Sequence, residues 1–290
     1  MIDCTRSWIQ IELIHESSRL LKEANITDSR RNVEWMLCEL LKCTRAQLYA
    51  YPNKEVSGDV LFAFNSMVVR RAKCEPLQYI LGYTEFFGIR VQVAPGVLIP
   101  RPETELLVEE VLGCLASMQS PAILDIGTGS GCIALALKNE RPDATVHGCD
   151  VSTDALTIAQ DNARQLDLDV RFFSCDIKES QIHQAPEQGY DLIVSNPPYI
   201  PRSEHPTIAT EVKDFEPDSA LFVDDDPLEY YRYVTLATRD ALTERGFLCV
   251  ETHMDFATDI AKYLDTQGLS EIRVINDLAD RPRIVIAQKN

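Results

Sequence analysis

The spacing of apolar residues predicts a helical beginning for this chain. Apolar side chains recur three and four positions apart, which is the period that places them on one face of an α-helix. Four segments follow this pattern: residues 5–24, 28–41, 44–50 and 57–73. Asp28 and Ser57 stand where N-cap residues are expected, and the Glu75-Pro76 pair ends the last helix. We therefore predict a small helical domain over residues 1–80.

A different pattern begins after this helical part. Residues 81–101 are rich in aromatic and β-branched side chains, and they contain Gly82, Gly88 and the Pro95-Gly96 pair. This composition predicts a β-hairpin or an extended connector. Proline also prevents a helix before Pro102, and an amphipathic helix is predicted to follow.

Strand and helix patterns alternate over the rest of the chain. Short apolar runs predict seven strands, at residues 122–126, 145–149, 170–174, 190–194, 246–251, 272–275 and 283–287. Helical patterns lie between most of them, which indicates a mostly parallel sheet with helices on both faces. A short connector joins the last two strands, so they are predicted to form an antiparallel pair at the edge. The sequence thus predicts an α/β fold over residues 102–290.

The charge balance limits the classes of partner. The 290 residues include 45 acidic and 28 basic side chains, which gives a formal net charge of -17. Proteins that bind a phosphate backbone obtain most of their affinity from lysine and arginine. Although Arg70, Arg71 and Lys73 form a local basic patch, the composition favours a small ligand or a protein partner over nucleic acid.

The cysteines indicate a reducing compartment. Nine of them are scattered along the chain without a Cys-x-x-Cys pair or a Cys/His cluster, so neither a metal nor a dithiol site is predicted. An odd number without a disulfide framework is typical of free thiols. No apolar run reaches the length that crosses a bilayer, and the first residues lack the apolar core of a signal peptide. We predict a cytoplasmic protein without a membrane partner.

A glycine-rich turn follows the first predicted strand of the sheet. Residues 125–131 read Asp-Ile-Gly-Thr-Gly-Ser-Gly and lead directly into a helix, so a ligand can approach the backbone closely. The glycine spacing differs from the dinucleotide fingerprint, and the lysine of a phosphate-binding loop is absent. Asp150 and Asp176 follow the next two strands. All three features therefore meet at the edge of the sheet where α/β proteins bind ligands.

This combination suits S-adenosylmethionine, a nucleoside that carries a charged amino acid and no phosphate. Each acid alone is more typical of a turn or an N-cap. Together, Asp150 is placed to accept hydrogen bonds from both ribose hydroxyls, and Asp176 to meet the adenine amino group with Ile177 beside the ring. Asp125 is placed to anchor the amino group of the ligand or to organise the loop.

The stretch Asn196-Pro197-Pro198-Tyr199 ends the fourth predicted strand of the sheet. Each proline fixes φ and removes a backbone donor, so the stretch is stiff and its carbonyl oxygens stay free. An ordinary turn is the alternative interpretation, because Asn-Pro often begins one. We hypothesise that the Asn196 Oδ1 and Pro197 carbonyl oxygens accept the two N–H hydrogens of a planar acceptor, while Tyr199 stacks on it. Positive charge that grows on the acceptor nitrogen would strengthen both bonds in the transition state.

Six segments of the chain resemble the peptide chain release factor glutamine N5-methyltransferases: residues 76–82, 86–88, 97–105, 125–131, 196–200 and 215–217. The most specific are Ile-Pro-Arg-Pro-Glu-Thr-Glu at 99–105 and Asn-Pro-Pro-Tyr. The resemblance covers residues 76–290. It implies a seven-stranded, mostly parallel, Rossmann-like S-adenosylmethionine-dependent methyltransferase fold with a small N-terminal helical domain that recruits the substrate.

The resemblance also implies a reaction and its contacts. The acceptor would be the glutamine amide nitrogen (N5) in the Gly-Gly-Gln motif of peptide chain release factors 1 and 2, and the reaction would support translation termination. The other product would be S-adenosyl-L-homocysteine. The cofactor contacts would come from Gly127, Thr128, Gly129, Ser130, Gly131, Asp150, Asp176, Ile177 and Asn196. The glutamine contacts would come from Asn196, Pro197, Pro198 and Tyr199.

The sequence departs from the family pattern at residues 222–227, 251–255 and 277–281, where the usual glycines are missing. Two other functions stay open at this stage. An adenine N6-methyltransferase on DNA or RNA could use the same polar stretch, but it would need a basic channel or a base-flipping domain. A non-catalytic scaffold could bind the cofactor and hold a partner through the helical domain.

Overall fold

The computed structural model describes residues 2–179, 182, 184–224 and 226–290. Contacts between residues divide the chain into two compact units. The first consists of Met1–Gly82 and Ala209–Phe215, and the second consists of Tyr83–Ile208 and Glu216–Asn290.

The elements are named in chain order over the described residues. The helices are α1 (Gln10–Glu23), α2 (Ser29–Leu41), α3 (Arg45–Ala50), α4 (Gly58–Ala72), α5 (Leu77–Leu81), α6 (Pro102–Cys114), α7 (Cys132–Glu140), α8 (Thr153–Leu166), α9 (Thr210–Lys213), α10 (Asp218–Leu221), α11 (Glu229–Ala241) and α12 (Ala257–Thr266). The strands are β1 (Tyr83–Phe86), β2 (Ile89–Gln92), β3 (Ala122–Ile126), β4 (Thr145–Asp150), β5 (Val170–Ser174), β6 (Tyr190–Ser195), β7 (Ile200–Pro201), β8 (Phe222–Val223), β9 (Leu242–Glu251), β10 (Leu269–Asn276) and β11 (Pro282–Lys289).

The first unit contains the four helices that the apolar pattern predicts, and their apolar faces form its core. The prediction that α1 begins near residue 5 is wrong, because the preceding residues make other bonds. Trp8 Nε1 donates to the Asp3 carbonyl at 2.7 Å, and Ile9 forms a β-bridge with Glu55. The buried core residues of this unit include Leu13, Ile14, Leu21, Val33, Met36, Leu37, Phe64 and Val68.

The helix starts differ from the capping predictions. Neither Asp28 nor Ser57 makes a side-chain capping bond, although both stand at the predicted N-cap positions. Asp28 adopts a left-handed conformation with φ of 50°, in which its side chain does not reach the helix start. Thr44 instead forms a capping box with Gln47 before α3. The sequence pattern does not predict the short helix α5, because Pro76 marks the end of the preceding helix and also stands at the N-cap of α5.

A buried arginine joins residues 209–215 to the helices of the first unit. Arg71 is only 4% exposed, and its guanidinium uses three partners. It donates to Asn32 Oδ1 at 2.6 Å, to the Glu75 carbonyl at 2.8 Å and to Glu211 Oε2 at 2.5 Å. A buried guanidinium is tolerated only when such acceptors satisfy it. The ion pair with Glu211 therefore explains why a segment so distant in sequence belongs to this unit.

The second unit is built on a seven-stranded sheet in the order β10-β11-β9-β6-β3-β4-β5. The pairs between β9, β6, β3, β4 and β5 are all parallel. β11 is antiparallel to both β9 and β10, so the predicted antiparallel pair at the edge is confirmed. The sheet is therefore mostly parallel, as the sequence indicates.

Each face of the sheet has its own apolar core. Side chains alternate between the faces, so that Ile123 joins one core and Leu124 the other. β3 lies between β4 and β6, and the chain returns from β5 at one edge to β6 on the far side of β3. The strand order thus reverses at β3. In open α/β sheets such a reversal creates a crevice at the carboxyl ends of the strands, where ligands bind.

The connector forms the predicted hairpin, with β1 antiparallel to β2. A buried side chain of α8, Asn162, holds it. Asn162 Oδ1 accepts from the Gln92 amide at 2.7 Å, and Nδ2 donates to the carbonyls of Gln92 and Ser130 at 3.1 and 2.9 Å. Among the described residues, no helix is both long and apolar enough to span a membrane.

Candidate active site

The glycine turn after β3 faces open space at the carboxyl edge of the sheet. Gly127 and Gly129 have φ of +70° and +56°, a region that side chains rarely adopt. A Cβ at either position would meet no atom within 4 Å. The amides of Gly127 and Thr128 both donate to the Cys149 carbonyl at the end of β4, at 2.9 and 3.0 Å. The turn is thus anchored to the sheet, and its two glycines leave room for a ligand.

Asp150 joins the glycine turn to the start of α8. Its Oδ2 accepts from the Gly129 amide and its Oδ1 from the Ser152 amide, both at 2.9 Å. A carboxylate oxygen can accept more than one hydrogen bond, so both oxygens keep acceptor capacity after these bonds. The carboxylate is therefore oriented by the backbone and still able to bind two donors.

Asp125 lies below the turn and is fully buried. Its Oδ2 accepts from the Thr128 hydroxyl at 2.6 Å and from the Ala134 amide at 3.3 Å, while Oδ1 has no hydrogen-bond partner among the residues that the structure describes. Burial raises the pKa of Asp125 to about 7. Ser130 is also buried, and a Cβ at Gly131 would lie only 3.1 Å from side-chain atoms of Ala159 and Phe172. The bonds of Asp125 to Thr128 and Ala134 therefore hold the turn against the start of α7.

A cavity of about 360 Å³ opens beside the turn, which lies in the size range of small-molecule sites. Of the residues predicted to bind cofactor or acceptor, those that line it are Gly127, Gly129, Asp150, Asp176, Ile177, Asn196, Pro197 and Pro198. Those that do not line it are Asp125, Thr128, Ser130, Gly131 and Tyr199. The structure thus brings the ends of β3, β4, β5 and β6 together around one space.

The end of β6 is fixed on two sides. The Ser195 hydroxyl donates to the Ile126 carbonyl at 2.8 Å, which ties β6 to the end of β3. Asn196 Nδ2 donates to the Thr104 hydroxyl at 3.2 Å. Asn196 Oδ1 makes no hydrogen bond with any described residue, and Asn196 lines the cavity. Its amide therefore offers an unused acceptor at the site.

Tyr199 is not among the residues that line the cavity, and its side chain bonds to a buried glutamate. Its hydroxyl donates to Glu251 Oε1 at 2.9 Å, and the backbone carbonyl of Glu251 accepts from the Tyr231 hydroxyl at 3.0 Å. Glu251 is 1% exposed, and this burial raises the pKa of its carboxyl. Burial also raises the pKa of Tyr199. The hydrogen bond from Tyr199 to Glu251 therefore anchors the Asn-Pro-Pro-Tyr stretch to the end of β9.

An ion pair between partly buried Arg101 and buried Glu216 joins two segments whose neighbours line the cavity. Glu216 is 5% exposed; its Oε1 accepts from Arg101 at 2.6 Å and its Oε2 from the Ile99 amide at 3.0 Å. The segments next to this pair, at residues 96–98 and 217–220, both contribute to the cavity wall. Glu216 thereby fixes two loops that are distant in sequence.

Sequence reasoning did not assign a function to Thr104, Asn162, Glu216 or Glu251. Glu251 ends a strand of the sheet, as Asp150 does. An acidic residue at the carboxyl end of a strand is therefore a sequence signal that indicates both residues. Thr104 gave no such signal, because a threonine in the first turn of a helix is ordinary. Its contact with Asn196 joins positions 92 residues apart.

The cavity fits S-adenosylmethionine in the chemistry of its lining. Asp150 and Asp176 are its acidic residues, and its basic residue, Lys178, lies 3.7 Å from Glu229 and over the ring of Tyr230. No arginine is among the lining residues in the described part of the chain, so the site suits a cation more than a phosphate. Nor do the described residues contain a group of three His, Cys, Asp or Glu side chains that could hold a metal.

Comparisons with known proteins agree with the fold. A family model described as methyltransferase small domain matches residues 102–214, and one described as PrmC N-terminal domain matches residues 12–82. A methyltransferase from Pyrococcus furiosus superposes with a TM-score of 0.51 at 17% identity, over 70% of this chain and 90% of that one. The T. thermophilus 16S rRNA N2 G1207 methyltransferase, solved with AdoMet and guanosine, gives 0.50 at 17% identity, over 72% and 50%. The fold and the site define a Rossmann-like S-adenosylmethionine-dependent methyltransferase.

Curated relatives identify the family of methyltransferases to which this chain is similar. Three proteins named release factor glutamine methyltransferase match most of the chain. The one from Bacteroides thetaiotaomicron is 38% identical over 87% of this chain and 90% of its own. Those from Koribacter versatilis and Geobacter sulfurreducens are 36% and 37% identical, over 93% and 96% of this chain and 94% and 96% of their own. The chain belongs to the release factor glutamine methyltransferase family, which confirms the family that the sequence motifs indicated.

Proposed function

We propose that this enzyme transfers a methyl group from S-adenosylmethionine to the side-chain amide nitrogen (N5) of the glutamine in the Gly-Gly-Gln motif of peptide chain release factors 1 and 2. The reaction would support translation termination. The observation that carries the proposal is the amide of Asn196, whose nitrogen is held by Thr104 while its oxygen is free at the cavity. The names of the relatives support the substrate.

The residues at the ends of β3, β4 and β5 would hold the cofactor. Asp150 would accept hydrogen bonds from the ribose hydroxyls with the capacity that its backbone bonds leave. Asp176 would accept from the adenine amino group, with Ile177 against the ring. Gly127 and Gly129 would let the ligand approach the backbone because they carry no side chain. When bound, S-adenosylmethionine supplies a methyl group activated by the positive charge on its sulfur.

The residues after β6 would hold the glutamine side chain. Asn196 Oδ1 and the Pro197 carbonyl oxygen would accept the two N–H hydrogens of the amide. An amide nitrogen is a weak nucleophile because its lone pair is delocalised, and it becomes positive as it attacks. Both bonds would therefore strengthen in the transition state, which is what accelerates a reaction. The sulfur–methyl bond breaks as the nitrogen–methyl bond forms, and the methylated nitrogen then releases one of its two hydrogens to solvent as a proton. Pro198 would keep the stretch stiff, and Tyr199 would hold it in place through its bond to Glu251.

The Asp150→Asn variant is expected to bind S-adenosylmethionine about 10- to 100-fold more weakly, because an amide N–H group replaces one acceptor oxygen and faces the donors that the carboxylate would accept from. Isothermal titration calorimetry measures this change directly. Asp154→Asn is the matched control, since Asp154 is exposed in the first turn of α8 and does not line the cavity. Equal affinities of Asp150→Asn and wild type would contradict the ribose assignment.

Mass spectrometry tests the proposed function. Purified release factors 1 and 2 are incubated with the enzyme and S-adenosylmethionine, and the peptides that contain Gly-Gly-Gln are sequenced. A gain of one methyl on the glutamine is expected, together with formation of S-adenosyl-L-homocysteine. Methylation of adenine in DNA or RNA instead would establish the alternative reaction. Cofactor binding without methyl transfer to any of these substrates would establish a non-catalytic scaffold.

A further inference from the structure

We propose, as a step that rests on the proposed function, that the second unit carries a docking surface for the protein substrate beside the Asn-Pro-Pro-Tyr stretch. Its contact points are two exposed apolar side chains, Met254 and Leu278, and its charge fits a partner with a basic surface around the acceptor glutamine. We name it the acceptor-side surface, and it consists of residues 200–205, 222–224, 252–255 and 277–283.

The order of the strands places these segments on one side of the acceptor stretch. β6, β9 and β10 run in the same direction and β11 runs against them, so the ends of β6 and β9 and the turn between β10 and β11 lie at the same edge of the sheet. The residues predicted to bind the cofactor follow β3, β4 and β5, on the other side of β6. The acceptor-side surface therefore extends from Asn196 away from the cofactor.

The segment that follows Tyr199 is packed between two other parts of this surface. β7 pairs with β8 in parallel, and the ring of His205 lies 5.2 Å from that of Phe222. His253, which follows β9, has its Nε2 atom 3.6 Å from Glu204 Oε1 and its ring 6.3 Å from that of Tyr199. Residues 200–205 thus connect the start of β8 to the end of β9.

The turn between β10 and β11 joins the same surface through Arg283. The Thr252 amide donates to the Arg283 carbonyl at 2.8 Å, and the Arg283 guanidinium donates to Asp277 Oδ2 at 3.1 Å. The three places where the sequence departs from the family pattern, at residues 222–227, 251–255 and 277–281, are therefore joined by contacts. Because these differences meet at one surface, they alter one contact area and leave the cofactor residues unchanged.

Met254 and Leu278 present apolar surface at this edge. Met254 is 40% exposed, and Leu278 is fully exposed in the turn. One exposed apolar side chain is ordinary, but two on bonded segments beside an acceptor site are typical of an interface. Adjacent strands are about 4.8 Å apart, so Leu278 lies roughly 10 to 15 Å from the end of β6. A glutamine side chain does not reach that far, whereas a folded partner that covers about 800 Å² does.

The charge of the surface determines the kind of partner. Its described acidic residues outnumber its arginines, with Glu204, Asp224, Asp255, Asp277 and Asp280 against Arg202, Arg281 and Arg283. Two of the arginines are already paired inside the surface, Arg202 with Asp224 and Arg283 with Asp277. A nucleic acid backbone would be repelled, whereas lysine and arginine side chains of a protein would be attracted. The surface therefore fits a release factor whose residues around the acceptor glutamine are basic.

Leu278→Lys tests the apolar contact, and Met254→Lys is a second variant. Each change removes an apolar contact and adds a charge that repels a basic partner, so KM for release factor is expected to rise about 10-fold. kcat at saturating release factor and the Kd of S-adenosylmethionine are expected to stay within about threefold, because neither residue lines the cavity. Leu236→Lys is the matched control. Leu236 is 39% exposed on α11, beside the starts of β9 and β10 at the opposite edge, and its variant should keep the wild-type KM.

Asp255→Lys tests the charge. The wild-type KM for release factor is expected to rise about 3- to 10-fold between roughly 0.05 and 0.3 M NaCl, because salt screens exposed charges. Asp255→Lys is expected to raise KM at low salt and to reduce its salt dependence, since the Asp255 side chain is 67% exposed on the surface. Asp240→Lys is the control, because Asp240 is an exposed acid of α11 outside the surface.

Thermal unfolding of each variant separates a folding defect from a docking defect. Wild-type KM in both Leu278→Lys and Met254→Lys, or an equal increase in Leu236→Lys, would overturn the inference. A KM that does not depend on salt, or equal effects of Asp255→Lys and Asp240→Lys, would also overturn it. Failure of the wild-type enzyme to methylate release factor would instead overturn the proposed function.

Discussion

The Asn196→Ala enzyme is expected to lose about 10²- to 10³-fold in kcat, because removal of one oriented group that stabilises transition-state charge typically has this effect. Asn196 Oδ1 is the unpartnered acceptor at the cavity, and alanine offers nothing in its place. The loss should appear in kcat more than in KM, since the bond strengthens only as charge develops on the glutamine nitrogen. Cofactor affinity should change much less than kcat.

Single-turnover kinetics with release factor, at saturating cofactor, measures this loss at the chemical step. Asn139→Ala is a suitable control, because Asn139 is exposed at the end of α7 and its side chain donates to its neighbour Glu140. It should retain wild-type kcat. If Asn196→Ala also retained it, the acceptor would have to be held by the backbone alone, and the assignment of Asn196 would be wrong.

The Asp125→Asn protein is expected to lack a pH dependence of stability that the wild type shows. Burial raises the pKa of Asp125 from the ordinary value of 3.8 to about 7. A group whose pKa is higher in the folded state favours folding most at low pH, and this contribution is lost as the pH rises through the folded value. Wild-type stability should therefore fall between pH 4 and pH 7, by an amount on the order of 4 kcal/mol.

Urea unfolding of both proteins without cofactor, at intervals across this range, tests the prediction. The difference between their free energies of unfolding isolates Asp125, because the other titrating groups are common to both. Asparagine stays neutral, so the free energy of unfolding of the variant should increase relative to that of the wild type as the pH rises. Parallel stability curves would show that Asp125 is already ionised below pH 4 in the folded protein.

The strands of the sheet were predictable because each is a short apolar run between turn residues. Strands β3 and β5 have the predicted limits, and the others differ by a few residues at their ends. β9 begins four residues early, at Leu242, because Leu242 pairs with Tyr190 before a register shift and the polar residues after it. Local pattern carries no information about such a pairing, which depends on the neighbouring strand. The elements between residues 200 and 223 were missed because each is only a few residues long.

The cofactor side of the site was also predictable in large part. Glycines in a tight turn and acids at strand ends are local signals, and the parallel sheet brings them to the same edge. Topology alone predicts that five residues lie around one space: Gly127, Gly129, Asp150, Asp176 and Asn196. Their roles in binding the cofactor or the acceptor are proposals, because the sequence indicates where these residues lie and not what they bind.

The sequence by itself determined the α/β sheet, the helical start, the family and the positions at the sheet edge. These follow from apolar period, turn residues and motifs, all of which act over short stretches of chain. Tertiary structure decided that the Asn196 amide nitrogen bonds to Thr104, because the two residues are 92 positions apart in the sequence. It also decided that Tyr199 bonds to Glu251 and does not line the cavity. The partners in these hydrogen bonds are close in space but distant in sequence, so no pattern along the chain indicates them.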